Sequence, residues 1–422
     1  MRCSVSPRHH TLLLATAMII AGAFSTVSRN VSCQMEGDNI YGQRELYDKA
    51  WVAAFFMFLG ETICLAIFYI KRCTTRRRAS AASLGATAGS AADSEQRSTA
   101  ALNDVIHDFG CVETAGSPRS TQMVAEDVRK AATGSLPYWK FVLAAIGLTV
   151  LDLMQTSAFN VAMVCVPASA VQIFGGLTIV FCLVLAIPLL RRKLERWEIM
   201  GVCFTFLGVA LAGVATTVQR QHLEEYENAP KTIVGVLLVV AGQHFSGTQY
   251  IMEERLVKSQ GIDPLMVLGW EGVCDVILSL CVACPLAHVI PGSDHGSLEN
   301  YANSLYMSFA NGHILAMNAL YVLSILFFGW SGVTVEKLLT STHRSLFGSL
   351  RSPLIRVAMV IMYYSTRGHS RPYGEPLTLY SLLELFGFGV MILGVMIHND
   401  VRGFGAKATC RGRRGEEPKS PS

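Results

Sequence analysis

Polar and apolar positions along this chain fall into long blocks. They show neither the alternation of a half-buried strand nor the three-to-four spacing of a surface helix. Crossing the hydrocarbon of a bilayer takes about 20 mainly apolar residues. Ten runs meet that need, at 11–27, 51–70, 141–161, 168–190, 199–218, 233–251, 265–287, 313–335, 345–364 and 377–397. The third and fourth nearly merge. Pro167 is their natural break, because it lacks a donor and disfavours helix in the residue before it. The first run has a rival reading as a cleaved signal peptide, with Arg2, Arg8 and an Ala21-Gly22-Ala23 site. That reading would leave nine spans. Asn30-Val31-Ser32 fits a glycosylation acceptor but lies so close to the membrane that it reads as coincidence.

Composition agrees with the pattern. The chain of 422 residues is 51% hydrophobic and 16% charged, with a mean hydropathy of +0.39. A soluble domain carries about 25% charged residues, so the fold class is all-α integral membrane. The net charge of +4 gathers on no single face, which gives nucleic-acid binding no support. Cys281 and Cys284 form a C-x-x-C inside an apolar run and read as small buried residues. No second Cys or His pair stands at ligand spacing, and there is no nucleophile motif or phosphate loop. The expectation is therefore no enzyme, no metal and no cofactor.

Positive charge orients the spans. Lys71, Arg72 and Arg76 to Arg78 follow the second; Arg191, Arg192, Lys193 and Arg196 the fourth; Arg255 and Lys258 the sixth; Lys337 and Arg344 the eighth. Arg402, Lys407, Arg411, Arg413 and Arg414 lie in the tail, and the loop at 288–312 has no Lys or Arg. Arg220, Lys231, Arg367 and Arg371 dissent. The expectation is both termini in the cytosol.

The chain also repeats itself. Phe174-Gly175-Gly176-Leu177 returns as Phe347-Gly348-Ser349-Leu350. Glu198, Gly201, Leu207, Gly208 and Val209 return as Glu384, Gly387, Leu393, Gly394 and Val395. "AGAFS" at Ala21 matches "AGQHFS" at Ala241 more weakly, and "FLGE" ending at Glu61 matches "LGWE" ending at Glu271. Spans one to five thus resemble spans six to ten. Five is odd, so the second copy enters from the opposite face, as an inverted repeat with a site between the halves. The halves are 1–218 and 219–400, with a tail at 401–422. The first half contains an Ala/Ser/Gly/Thr-rich insertion at 74–137 that reads as disordered and cytosolic. Its Arg77-Arg78-Ala79-Ser80 resembles a basic-directed kinase site, a match that short sequences often make by accident. Gly201 and Gly208 share a helix face extended by Ala212, as Gly387 and Gly394 share theirs. Such small-residue faces allow close approach in lipid, either between the halves or in a homodimer.

Ionisable groups inside spans cost about 2.5–3.5 kcal/mol each on insertion scales and are functional candidates. Glu61, Asp152, Glu271, Asp275, Arg351 and Arg356 qualify. Gln155, Thr156 and Asn160 follow Asp152 in span three. Each has a plainer reading: Arg356 paired with a neighbouring acid, Asp275 a partner for Arg351, Glu198 and Glu384 at the interface, His244 a core histidine. Arg344 and Arg351 are seven apart with Gly348 between them, one side of a cavity. Val171, Gly175 and Thr178 hold the repeat-equivalent places, with Gln172 beside them. Spans four and nine are expected to face each other, with Gln172 and Arg351 contacting a solute.

"MFLGETICLAIFYIKR", "ASAVQIFGGLTIVFCLVLAIPLLRRKLERWEIMGVCFTFLGVALAG" and "GTQYIMEERLVKSQGIDPLMVLGWEGV" together resemble the drug/metabolite transporter superfamily. The nearest resemblance is to the F-type branch of solute carrier family 35, over about 11–70 and 138–400. The resemblance implies ten helices in two inverted halves, alternating access, and an endomembrane address (Golgi, endosomal or lysosomal). Its central-cavity helices correspond to 152–160, 172–178 and 344–351. It implies a small-molecule solute and membrane lipid as partners and names no solute. An anionic substrate, such as a nucleotide sugar in an antiporter, would use Arg344 and Arg351. A cation or a proton-coupled substrate would use Glu61, Asp152 and Glu271, and four acids (with Asp275) against Arg351 and Arg356 lean slightly to this second reading. A different class, a membrane adaptor acting through the 74–137 loop, would tolerate loss of Gln172, Asp152 and Arg351.

Overall fold

The computed structural model describes residues 7–86, 137–165, 176–191, 195–221, 229–292, 294–367, 374, 377 and 380–398. α1 (Pro7–Gln34) leads through a hairpin of β1 (Glu36–Asp38) and β2 (Arg44–Leu46) to α2 (Ala50–Ala86). Then come α3 (Tyr138–Cys165), α4 (Leu177–Leu190), α5 (Arg196–Gln221), α6 (Ala229–Glu254) and α7 (Pro264–Leu278). The chain closes with α8 (Cys284–Val289), α9 (Tyr301–Ala310), α10 (Gly312–Leu338), α11 (Ser341–Ser349), α12 (Arg351–Ser365) and α13 (Tyr380–His398). One π-helical turn (Arg255–Ser259) follows α6, and another (Ser279–Ala283) joins α7 to α8.

Among the described residues, eight helical stretches are long and apolar enough to cross a membrane. They answer the expected runs one, two, three, five, seven, eight, nine and ten. Run four is helical over the 14 residues of α4, with 166–175 outside the described residues. Run six is helical over the 26 residues of α6, where Gln243, His244 and Gln249 dilute the apolar character. α2 continues to Ala86, so the first part of the 74–137 insertion, Ser80 included, is helical; 87–136 lie outside the described residues. Helix starts follow capping chemistry. Asp263 accepts from the backbone of Leu265 with Pro264 at the first position of α7, and Thr340 caps α11 through His343. The break between α11 and α12 follows from Pro353, which has no donor for the carbonyl of Ser349.

Four helix pairs form the frame: α1 with α10, α3 with α6, α2 with α7, and α5 with α13. α1 also packs on α12, so the first run is a wall of the bundle. The glycine stripe finds its partner within the chain. A methyl at Gly201 would stand 2.5 Å from the His398 backbone nitrogen, and one at Gly387 2.7 Å from that of Ala212. The backbones of α5 and α13 touch there as small residues allow. α2 and α7 cross as closely, with Gly272 against Thr62 and Glu61.

One end of the bundle is tied by polar loops. Asn311 and Asn303 bond the hairpin backbone at Asp38 and Ile40. Lys49 lies 3.0 Å from Glu45 and 2.9 Å from Asp294. Glu299 caps α2, accepting from the backbones of Trp51 and Val52. We call this the hairpin end. The opposite end holds the α6–α7 and α10–α11 turns.

Candidate functional site

A cavity of about 460 Å³ lies inside the bundle, within the range that accommodates small ligands. α1, α3, α4, α5, α6, α10, α11, α12 and α13 all contribute to its wall. Of the residues expected at a site, Gln155, Thr178, Arg344, Gly348 and Arg351 line it. α4 and α11–α12 do share this cavity, the juxtaposition expected of spans four and nine. Gln172 and Gly175 lie outside the described residues. Asp152, Thr156 and Asn160 share α3 with Gln155 without joining the wall.

Three arginines stand near the cavity, and their partners set them apart. Arg344 is buried, and its Nη1 donates to Glu253 at 2.5 Å and to Glu336 at 3.0 Å, while its guanidinium lies 4.1 Å from the centre of the Tyr250 ring. Arg356 takes the plainer role expected of it, pairing with Glu384 at 3.0 Å and donating to Ser381. Glu384, near the start of α13, is buried, ion-paired and part of the cavity wall. Arg351 has no carboxylate partner among the described residues. Its guanidinium lies 5.2 Å from the centre of the Phe328 ring. Asp275 is not its counter-ion. Gly22 makes room for this pair, since a methyl there would stand 2.8 Å from Phe328 and 3.2 Å from the Arg351 stem.

The acids gather beside the cavity. Glu61, Glu253, Glu271 and Asp275 each lie within electrostatic reach of Asp152. Gln249 donates to Glu271 at 2.7 Å, but Glu271 Oε2 and both Asp275 oxygens have no hydrogen-bond partner. A carboxylate buried in a span without a cation must hold a proton or take a positive partner. Glu198 is plainer, bonding the backbone of Glu195 at the start of α5. His244 is exposed, its ring 5.1 Å from that of Phe181, so it is not a core histidine. Away from the cavity, Glu45, Asp294 and His295 bring ligand atoms within 4.8 Å of one another, but the Lys49 ammonium already stands against both carboxylates.

Several wall residues escaped the sequence. Thr26 and Asn30 of α1, Gln243, Ser246 and Tyr250 of α6, and Ser345, Ser349 and Ser352 give it much of its hydrogen-bonding capacity. Thr178 donates to Gln243. Short hydroxyl side chains inside apolar runs read as packing residues. Their periodicity on α11–α12, beside two arginines, was the available signal.

No family model matches the chain. It is 23% identical over 396 residues to "Solute carrier family 35 member F6" of Rattus norvegicus, covering 92% of this chain and 88% of that protein. The protein of that name from Homo sapiens is also 23% identical, over 92% of this chain and 89% of its own length. "Uncharacterized protein C12G12.12" of Schizosaccharomyces pombe is 24% identical, over 60% of this chain and 72% of its own. One solved structure aligns over 92% of this chain and 96% of its own, at a TM-score of 0.49 and 13% identity.

Proposed function

We propose that this multi-pass membrane protein, a relative of the solute carrier 35 proteins along nearly its whole length, is a secondary carrier. In this reading it moves a small organic anion across an endomembrane by alternating access, with both termini cytosolic. Ten spans form two inverted halves of five. The packing supports this: exchanging each span for its counterpart turns the α1–α10 contact into α6–α3 and leaves α2–α7 and α5–α13 unchanged. A finer match supports it too. Gly22 of α1 receives Phe328 of α10, and its repeat partner Gly242 of α6 receives Phe159 of α3.

The observation that carries the substrate class is Arg351. It is the cavity-lining arginine with no carboxylate partner among the described residues, while Arg344 and Arg356 are each matched. An unmatched guanidinium facing a polar cavity calls for an anionic group, and its fork suits carboxylate or phosphate. A nucleotide sugar is one such anion. Glu61, Asp152 and Glu271 are then the groups for proton coupling. Glu61 and Glu271 are repeat equivalents and meet where α2 crosses α7.

The test is a thermal-shift screen of purified protein against nucleotide sugars, organic acids and amines, followed by uptake of the best ligand into proteoliposomes. Ligand binding stabilises by mass action. An acid or nucleotide sugar should raise Tm in the wild type and lose roughly 100-fold in affinity in Arg351→Ala, as loss of a desolvated charge partner costs a few kcal/mol. Stabilisation by amines alone, or undiminished by Arg351→Ala, would end the anion reading. If coupling is to protons, an imposed pH gradient should drive uptake, and Asp152→Asn or Glu271→Gln should not respond.

A further inference from the structure

We infer that the ionic knot joining the end of α6 to the α10–α11 turn is the gate that closes the cavity opposite the hairpin end, with Arg344 as its pivot. This rests on the carrier reading and adds to it which end is shut, and by what.

The cavity is not centred along the spans. Its wall begins at Arg344, in the first turn of α11, and extends to Asn30, Ile355 and Glu384, which lie toward the hairpin end. Beyond Arg344, three chain ends meet. Arg344 ties Glu253 at the close of α6 to Glu336 at the close of α10. Glu254 accepts from the Ser341 backbone at 2.7 Å, holding the start of α11. Lys258 bonds Glu254 at 3.0 Å and reaches the Leu339 carbonyl, which ends α10. Four charged side chains and Arg344 thus lock α6, α10 and α11 together across the axis of the cavity. Gly332 leaves the space the guanidinium needs: a methyl there would stand 2.8 Å from Arg344 Nε.

Two features set this knot apart from a static structural tie. Arg344 Nε and Glu336 Oε2 are buried without hydrogen-bond partners. A purely structural buried ion network is favoured only when its polar atoms are satisfied. One with orphans gains solvation when it opens, so its two arrangements can lie close in free energy. The other feature is asymmetry. At the hairpin end the ties join the hairpin to the loops around α9, and Glu384 pairs with Arg356 of the neighbouring helix. By the repeat, Arg344 corresponds to Val171 and Glu254 to Gln34. Neither residue is charged, so the sequence of the first half does not repeat these two members of the knot.

The test needs no solute. Amide hydrogen exchange of the full chain in lipid nanodiscs is followed by mass spectrometry for the wild type, Glu253→Gln and Lys258→Met. A gate predicts reciprocity, because alternating access closes one end as the other opens. Exchange in peptides covering 336–349 should rise roughly tenfold, while exchange in 24–34, 352–360 and 380–388 falls. A rise at the knot with no fall at the hairpin end makes it a structural tie and overturns the gate, as does no change. If Glu253→Gln fails to fold, Lys258→Met decides alone, since Lys258 is about one-third exposed. Arg351-dependent binding without reciprocity removes only the gate. Reciprocity with no ligand bound by any arm of the screen removes the carrier reading.

Discussion

At the scale of single residues, partners decide role. Arg344 and Arg351 look alike in the sequence, one heptad apart on one wall. Their difference lies in Glu253 and Glu336, which are 91 and 8 positions from Arg344. Glu253 closes α6 just before Arg255 and Lys258, so in sequence it reads as one more loop charge. No spacing rule pairs it with an arginine five helices later. Glu45 shows the same logic outside the spans. Burial opposes its charge, but bonds from Lys49, Asn39 and Asn303 outweigh that and hold its carboxyl at about 2, below the usual 4.5. Lys49 moves the opposite way, upward: burial opposes its charge, and bonds to Asp294 and Glu45 prevail. A depressed carboxyl contributes stability that is present above its unfolded value and lost as pH falls toward the folded one. Lowering pH from 5 toward 2 should therefore loosen the hairpin end, while neutral and mildly alkaline pH leave Lys49 charged and the clamp intact. Limited proteolysis of the hairpin over a pH series would show it. Glu45→Gln should abolish the acid dependence; a wild-type profile unchanged by that substitution would refute the clamp. Glu299 caps α2, and Glu299→Ala should cost about 1 kcal/mol, read from the thermal midpoint.

At the scale of elements, the membrane makes helices legible. An apolar run of span length in lipid must satisfy its backbone internally, and a helix is the single-segment solution. That is why the runs could be read with boundaries a few residues short. The polar pieces could not. β1, β2 and α9 are brief and held by distant bonds, from Asn311, Asn303 and Ser308. No local periodicity encodes such partners. The glycine stripe was legible as a face, but its partner was not, and the structure places it between α5 and α13. Gly208 touches the backbone of α13 at Gly387 and Met391, whereas Gly147 of α3 has nothing within 4 Å of where a side chain would begin. Gly208→Val must separate the two helices, and overpacking of this kind costs about 1–3 kcal/mol or more. Gly147→Ala should be neutral or slightly stabilising, because alanine is the better helix former. Thermal unfolding in detergent compares the pair. Equal midpoints would mean that the α5–α13 contact is looser than the structure shows.

At the scale of the whole molecule, the proposed carrier rests on an odd number of spans in each half. In that reading, two copies threaded oppositely bring their equivalent faces together at the observed α2–α7 and α5–α13 crossings. The same reading sends every odd-numbered span toward the hairpin end. The arrangement predicts which turns share a compartment, and three glycines supply neutral places to ask. Gly42, Gly261 and Gly296 all have positive φ, and none has a neighbour within 4 Å of a built side chain, so insertions there should disturb no packing. Gly42 lies in the hairpin and Gly296 in the loop before α9, both at the hairpin end. Gly261 lies between α6 and α7 at the other. A short tether bearing a glycosylation acceptor should be modified at Gly42 and at Gly296 but not at Gly261 when the protein is made in microsomes. Modification at Gly261 alone would invert the assignment of the basic loops to the cytosol and leave the repeat standing. Modification at Gly42 and Gly261 together would be fatal to it: α1 and α6 would then enter from the same face, and the two halves could not close on a common cavity.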